Sequence, residues 1–347
     1  MRRLPVILAA ALLSLAPLTA RASDLDMNKY HFGHVGESYG WHVTTINGHH
    51  VTVHLPVIVR SRVSGWHCFS SKHIEEGEIY EGFRIAVKGE KHEGKLVEQT
   101  PGGDLLKPLD ISITKNVFGL MVNSVVVLLV ILGGARWYRR HDALQEAPGG
   151  FAGVVEMMVT MVEDDIIKDC IGADYKRYSP YLLTAFFFIF INNLMGIVPF
   201  FPGGANVTGN IAITLSLAVF TFLAVNLFGN SHYYKEIFWP DVPKFLKVFP
   251  LMPLIEIIGM FTKPFSLMIR LFANILAGHV MLLGVVAVVF LTAKLGVGLN
   301  AGLSVISVLF GVFLDVLELL VAFLQAYVFT MLSSVFIGLS RQHPETT

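Results

Sequence analysis

Between residues 178 and 234 the chain contains no Lys, Arg, Asp or Glu. Soluble domains draw ~25% of their residues from those four types, so a stretch of this length cannot supply a water-facing surface. Proline and glycine around 199–204 divide it into two apolar segments, about 179–200 and 207–229. Each approaches the ~20 residues with which an α-helix crosses a ~30 Å hydrocarbon core. Further apolar tracts occupy 117–135, 250–292 and 300–340. Over all 347 residues 54% are hydrophobic and 15% charged, which excludes an ordinary soluble enzyme. The expected fold is an all-α polytopic membrane protein, because lipid tolerates only backbones that satisfy their own hydrogen bonds. Lys plus Arg equals Asp plus Glu, 26 each, so no basic excess points to nucleic acid. Cys68 and Cys170 make no disulfide framework and no CxxC pair. Neither a GxxxxGK[ST] stretch nor a GxGxxG stretch after a strand is present, so no cofactor is expected.

The first 112 residues are a different material. Arg2 and Arg3, an apolar stretch at 6–18 and Ala20-Arg21-Ala22 read as a signal peptide over 1–22. The alternative is an uncleaved N-terminal anchor. Residues 23–112 carry 12 acidic and 9 basic residues and 9 of the 13 histidines, as befits a small aqueous domain outside the cytoplasm. Residues 41–46, then Asn47-Gly48, then 49–59 predict a β-hairpin, since Asn-Gly suits a type I′ turn and Val51, Val53 and Leu55 alternate with polar residues. The domain is therefore expected to be β-rich, with a loop at 100–104 leading to the membrane domain at 113–347. A metal site is not expected. His50 and His54 stand ~13 Å apart along one strand face, and His49 points away from both.

Loop charges set the orientation. Arg136, Arg139, Arg140, Lys168, Lys176, Arg177, Lys235, Lys244, Lys247 and Arg341 fall in one set of loops, and only Lys294 in the other. The positive-inside rule puts the first set in the cytoplasm. The signal peptide independently puts residue 23 outside. Both give an extracytoplasmic N-terminus, a cytoplasmic C-terminus and five membrane-embedded helices. Residues 151–171 predict one amphipathic surface helix, with Phe151, Val154, Val155, Met158 and Val162 at helical spacing. The last two tracts would make helices of roughly 60 Å, twice the hydrocarbon thickness. A steeply tilted antiparallel hairpin turning at 294–300 accommodates them, helped to bend by Gly259, Pro264, Gly278 and Gly284.

Inside that hairpin the titratable residues are few, and a charge in a membrane costs several kcal/mol, so each is a functional candidate. Arg270 stays protonated and has nowhere near to snorkel. It needs a partner or a water-filled path; Glu256, ~21 Å away along the helix, is a poor partner. With Arg270 level with Gln325, His279 and Glu318 fall ~13.5 and ~10.5 Å outward, at nearly the same height. An imidazole beside a carboxylate suits a proton relay, with a static ion pair as the alternative. Asp315 lies one turn further out. On the other side, Ser266, Lys263 and Glu256 descend toward the cytoplasm as a second path, or Lys263 snorkels to headgroups. Asn274 is placed to bond near Arg270. Asn192, Asn193 and Asn226 are expected to bond between helices. Two half-paths thus meet at a fixed cation that prevents a continuous leak, and a partner must supply the mobile carboxylate.

Three stretches carry a resemblance. They are Lys263-Pro264-Phe265-Ser266-Leu267-Met268-Ile269-Arg270-Leu271-Phe272-Ala273-Asn274-Ile275-Leu276-Ala277-Gly278-His279, then residues 318–327 with Leu324-Gln325-Ala326-Tyr327, and Asn193-Leu194-Met195-Gly196 followed by Pro199. In their order along the chain they resemble the a subunit of F-type ATP synthases over about residues 113–340. The resemblance implies a non-catalytic stator subunit of the F0 sector in a proton translocase complex of EC class 7. It also implies a bacterial inner-membrane location and, as partners, the c-ring, the b subunit stalk, other F0 subunits, the lipid membrane and protons. Arg270 would face the c-ring carboxylates, and His279, Glu318 and Gln325 would line the outer path. Glu256 would match an inner acidic position. Many bacterial members carry this acid and imidazole the other way round, and mitochondrial members carry them as here. The extended N-terminus departs from most members. A secondary transporter with a buried Arg/Glu relay is the alternative; it predicts inverted repeats, which the chain lacks. A membrane-anchored metal sensor would leave Arg270 unexplained.

Overall fold

The computed structural model describes residues 38–341 apart from 47–48, 62–63, 88–89, 91, 100–104, 143–145, 199–202, 205–206, 239–250 and 293–296. The expected signal peptide, the expected Asn47-Gly48 turn and loop at 100–104, Lys244, Lys247 and Lys294 lie outside the described residues, as do most of the break at 199–204 and of the expected turn at 294–300. The chain divides into two compact units, one comprising Glu37–Gly278 and Val316–Thr347, the other Met1–Gly36 and His279–Asp315.

The N-terminal part is built of strands β1 (Gly40–Ile46), β2 (His49–His54), β3 (Pro56–Ser61), β4 (Gly65–Ser70), β5 (Phe83–Ile85), β6 (Leu96–Gln99), β7 (Leu105–Leu106) and β8 (Leu109–Asp110). β1 and β2 pair antiparallel with Ile46 opposite His49, the register expected of the hairpin. The expected second strand over 49–59 is broken, however, and Val59 belongs to another sheet, ordered β4-β3-β8. Pro56 has no N–H to continue the ladder. At Leu55 the backbone bonds Ser71 instead: its N–H donates to Ser71 Oγ at 3.1 Å and its carbonyl accepts from Ser71 N at 3.0 Å. Val57, Val59, Phe69, Ile74, Phe83 and Leu96 form the core between β3–β4 and the third sheet, β5-β6-β7. Two of the described histidines serve this local structure. His67 bonds Glu81 and Ser64, and His73 stacks on Tyr80.

One charged pair is expected to give this part an acid-sensitive step. Arg84 grips Glu90 with two bonds of 2.8 and 2.7 Å, and the Val87 N–H donates to the same carboxylate at 3.0 Å. The Arg84 hydrogen bond first, and the Val87 N–H second, hold the Glu90 carboxyl below the usual carboxylate range. A carboxyl with a lowered folded pKa contributes stability above its unfolded value and loses it as pH falls through the folded one. Amide exchange at Val87, corrected for intrinsic rate, is therefore expected to accelerate on acidification below the ordinary glutamate range. The Glu90→Gln variant should lack that acid step. An identical step in the variant would remove this pair as its cause.

The remainder is helical: α1 (Lys115–Tyr138), α2 (Gly150–Val162), α3 (Tyr175–Ile197), α4 (Ile211–Leu227), α5 (Ser231–Phe238), α6 (Leu251–Thr292) and α7 (Val297–Arg341). By length and composition, Lys115–Tyr138, Gly150–Ile197, Leu254–Val289 and Asn300–Arg341 are each able to cross a membrane, and Ile211–Leu227 is a shorter apolar helix. The stretch 151–171, expected as a surface helix, is helical: α2, a π-helical stretch Glu163–Lys168 and a turn Asp169–Ile171. Two details differ. Its buried stripe is Ala152, Val155, Val162 and Ile166, while Phe151 and Val154 are exposed. It also runs on into α3, interrupted at Gly172, whose φ of 75° suits a residue without Cβ. α5 carries Lys235, which was counted among the loop charges.

α3 is the hub of the larger unit. Its Leu182, Phe186 and Ile189 join Val162 and Ile167, Leu267 and Leu271 of α6, and Ala326, Phe329 and Ile337 of α7 in one buried cluster. The end of α7 is fastened by Arg341, which bonds the Asp174 carboxylate at 2.5 Å and the Phe228 carbonyl at 3.2 Å. Beside it, Gly338 lies so close to the Cys170 carbonyl that a Cβ there would overlap the oxygen. Gly338→Ala is accordingly expected to destabilise the fold by about 1–3 kcal/mol, read as a lower thermal midpoint of the purified chain. A wild-type midpoint would mean that the crossing can open freely.

In the smaller unit, Thr292 Oγ1 bonds Asn300 Oδ1 at 3.1 Å, tying α6 to α7 across their connection. Asp315, exposed, lines a cavity of about 490 Å³ with Leu282, Val286, Ser304, Ser307 and Gly311.

Candidate functional site

On α6 the packed face is Leu267, Leu271 and Ile275, spaced four apart, so one stripe of the helix is held against its neighbours. Arg270 sits one residue, about 100° of rotation, off that stripe. It is half-buried, and no ion pair or hydrogen bond holds its guanidinium among the described residues. Ser266, Ala273 and Ala277, all exposed, flank it on the same side. Small side chains around one arginine leave room for another helix to approach its charge closely.

On α7 the packed stripe runs Glu318, Ala322, Gln325, Phe329, Ser333 and Ile337, again at intervals of three and four. Glu318 and Gln325 thus point inward, 8% and 3% exposed. Asn274 Nδ2 donates to Gln325 Oε1 at 2.8 Å. Asn274, expected to bond near Arg270, thus does so through Gln325, one turn along from Arg270. Further along, the Glu318 carboxylate lies against Gly278, where a Cβ would be 3.1 Å from Oε1. Gly278 is a cradle for that carboxylate. A glycine in a helix reads in sequence as a bend, and only the facing carboxylate reveals this use. His279 follows on α6, and its side chain is outside the described ones.

Other polar groups cross between helices. Asn123 Nδ2 donates to Asn192 Oδ1 at 3.0 Å, joining α1 to α3. Asn193 Nδ2 donates to the Ala322 carbonyl at 3.4 Å, and its Oδ1 accepts from Thr208 Oγ1 at 2.7 Å. Asn192 and Asn193 bond between elements as expected. Asn226 does not: its Nδ2 donates to Phe222 within α4 at 2.8 Å, a turn away on its own helix. Sequence inspection overlooked Asn123 and Thr208, although an amide inside an apolar span signals a partner.

Around Lys263 a second group assembles. Its Nζ lies 5.6 Å from the centre of the Phe336 ring, a cation–π contact. A void of about 10 Å³ beside it is lined by Thr221, Asn226, Tyr233, Lys263 and Pro264. Thr221 also bonds Tyr181 at 2.9 Å and Ser333 at 3.3 Å. Burial pushes the Tyr233 hydroxyl pKa up, and the nearby charges of Tyr234 and Glu256 add to it. Glu256 itself, like Ser266, is exposed. Among the described residues no three His, Cys, Asp or Glu side chains converge as a metal site would require.

Comparison with known proteins divides the chain in two. Residues 30–111 match a domain of unknown function, DUF8433. Residues 120–338 match the family described as ATP synthase A chain. A relative named ATP synthase subunit a 2, from Prosthecochloris aestuarii, is 41% identical over 67% of this chain and 70% of its own length. ATP synthase subunit a of Chloroherpeton thalassium is 38% identical over 68% of each chain. That of Chlorobium phaeobacteroides strain BS1 is 36% identical over 80% of this chain and 82% of its own. With the matched family covering well over half of its length, and the relatives covering two thirds or more, the chain belongs to the ATP synthase A chain family.

Proposed function

We propose that the chain is the proton-translocating stator subunit of the F0 sector of a rotary ATP synthase in a bacterial inner membrane. It is non-catalytic: it carries protons to and from the carboxylates of a c-ring and works with a b subunit stalk and other F0 subunits. The observation that carries this proposal is Arg270, without an ion pair among the described residues, on an open, small-residue face of the helix whose Asn274 and Gly278 meet the inward-pointing Gln325 and Glu318. A permanently charged guanidinium there attracts a partner's carboxylate and favours its ionised form. The proton it displaces must then leave by one of two offset half-channels. The outer one uses Gln325 with Asn274, then Glu318, His279 and Asp315. The inner one uses Ser266, Lys263 and Glu256, to which Tyr233 is added here.

Supporting the topology, α7 has 45 residues and extends roughly 68 Å, so a steep tilt fits it to a ~30 Å core. With α1, α3, α4 and α6 it makes five embedded helices, the N-terminus extracytoplasmic and the C-terminus cytoplasmic. The division into a signal peptide at 1–22, an extracytoplasmic domain at 23–112 and a membrane domain at 113–347 is consistent with the two family matches. The test is ATP-driven acidification of inverted vesicles bearing the assembled complex, with and without this chain. Acidification that requires the chain but no sodium is expected. Pumping that stops without sodium would sink the proton assignment, and pumping without the chain would sink the whole proposal.

A further inference from the structure

The proton path gives the strand domain no task, yet the β1–β2 hairpin is joined tightly to it. Trp41 of β1 is 4% exposed, and Val207, between α3 and α4, is fully buried. The two share one apolar cluster with Val53, Phe118, Leu120 and Ile213. The Trp41 ring meets Phe118 edge-on at 5.9 Å, and Lys115 Nζ lies 5.9 Å from the Trp41 ring centre. The Lys115 N–H donates to the Ser38 carbonyl at 2.9 Å. The hairpin is thus pinned where α1 and α4 begin.

From Val207 a short chain of bonds leads inward. The Asn210 N–H donates to the Val207 carbonyl at 3.2 Å, and the Asn210 side chain caps α4 by accepting from Ala212 N at 3.0 Å. Thr208, the next residue after Val207, is 1% exposed and holds Asn193 Oδ1 at 2.7 Å. Asn193 in turn holds the Ala322 carbonyl. Ala322 is one turn from Glu318 and three residues from Gln325 on the same buried stripe. The Thr208–Asn193 and Asn193–Ala322 links are buried contacts, and in a close-packed region a displaced neighbour is felt by the next side chain.

We propose that the β1–β2 hairpin clamps the outer mouth of the proton path. Trp41 is a positioning residue: packed on Val207, it sets Thr208 and Asn193, and through them the stretch of α7 that bears Glu318 and Gln325. This inference rests on the proton-path proposal above. It assigns the strand domain a part in how readily protons enter from outside, in addition to any covering role.

The experiment uses inverted vesicles with the complete complex, in which the outer mouth opens to the lumen. ATP synthesis after an acid–base jump is measured while lumenal pH is varied at fixed external pH, and then the reverse. In Trp41→Ala the lumenal pH for half-maximal rate is expected to move so that about threefold more protons are needed, while the external pH profile stays as in wild type. Trp41→Phe should restore the lumenal profile. Trp66→Ala, on the exposed end of β4, should leave both unchanged. Val207→Ala, tested in parallel, probes the same contact should Trp41→Ala assemble poorly. Wild-type lumenal profiles in both variants would overturn the clamp, as would equal shifts on both sides. Arg270→Ala separates the two ideas: if it still pumps, the proton path itself fails, whereas a silent Arg270→Ala with unaltered Trp41 profiles removes the clamp alone.

Discussion

Replacing Arg270 by alanine is expected to cut ATP-driven acidification of inverted vesicles by about a hundredfold or more, with the complex assembled and ATP still bound and hydrolysed slowly. The size follows from what the guanidinium does. It is the one permanent cation of its helix between Lys263 and the α6–α7 connection, and no acid of its own chain neutralises it among the described residues. Its charge is therefore available to a partner's carboxylate. Without it nothing favours the ionised carboxylate at the crossing point, and the two half-channels lose their barrier. Passive proton conductance through complexes stripped of their ATPase head should accordingly persist or rise while pumping disappears. Arg270→Lys should recover little, because an ammonium sheds its proton more easily in an apolar site and lacks the planar fork. Full pumping by Arg270→Ala would make the residue structural and return the chain to the transporter class.

How far the site could be read from residues alone depended on the kind of information each feature carries. The charge-free run at 178–234 and the long tracts at the C-terminus are composition over distance, and α3, α4, α6 and α7 follow from them. Which face of a helix turns inward is periodicity, and Asn274 and Gln325, read on facing helices, do bond. Axial register is neither. It rests on an assumed pairing, Gln325 level with Arg270, which puts Glu318 opposite residue 277; the structure sets it against Gly278, but no sequence pattern fixes such a pairing. The same limit hid Gly278, whose use depends on Glu318 facing it from another helix. Asn226 illustrates a local rule overriding a global one. An amide in a span seeks a partner, and the Asn226 Nδ2 takes the carbonyl one turn back, at Phe222. In the strand domain, Pro56 was visible in the sequence, but its consequence was not, since the switch of sheets at Leu55 depends on Ser71 arriving from sixteen residues away.

Glu318 and its cradle give the second large effect. Glu318 is 8% exposed on the packed stripe of α7, so its carboxyl is among the few groups there that can take up and release a proton. Glu318→Gln keeps the size and hydrogen-bonding capacity but removes the titration. Pumping is expected to fall roughly tenfold to a hundredfold, with assembly and thermal stability near wild type. Gly278→Ala perturbs the same group by another route. The added Cβ would stand 3.1 Å from Glu318 Oε1 and 3.4 Å from its carboxyl carbon, so the head group must turn away from α6. A severalfold loss of pumping is expected for that variant. Two changes acting through one carboxylate should not add: in the Glu318→Gln background, Gly278→Ala should cost almost nothing further. That comparison separates a proton-carrying Glu318 from a packing role. Were Glu318 only filling space, Glu318→Gln would pump normally and Gly278→Ala would impair stability and pumping alike, in either background.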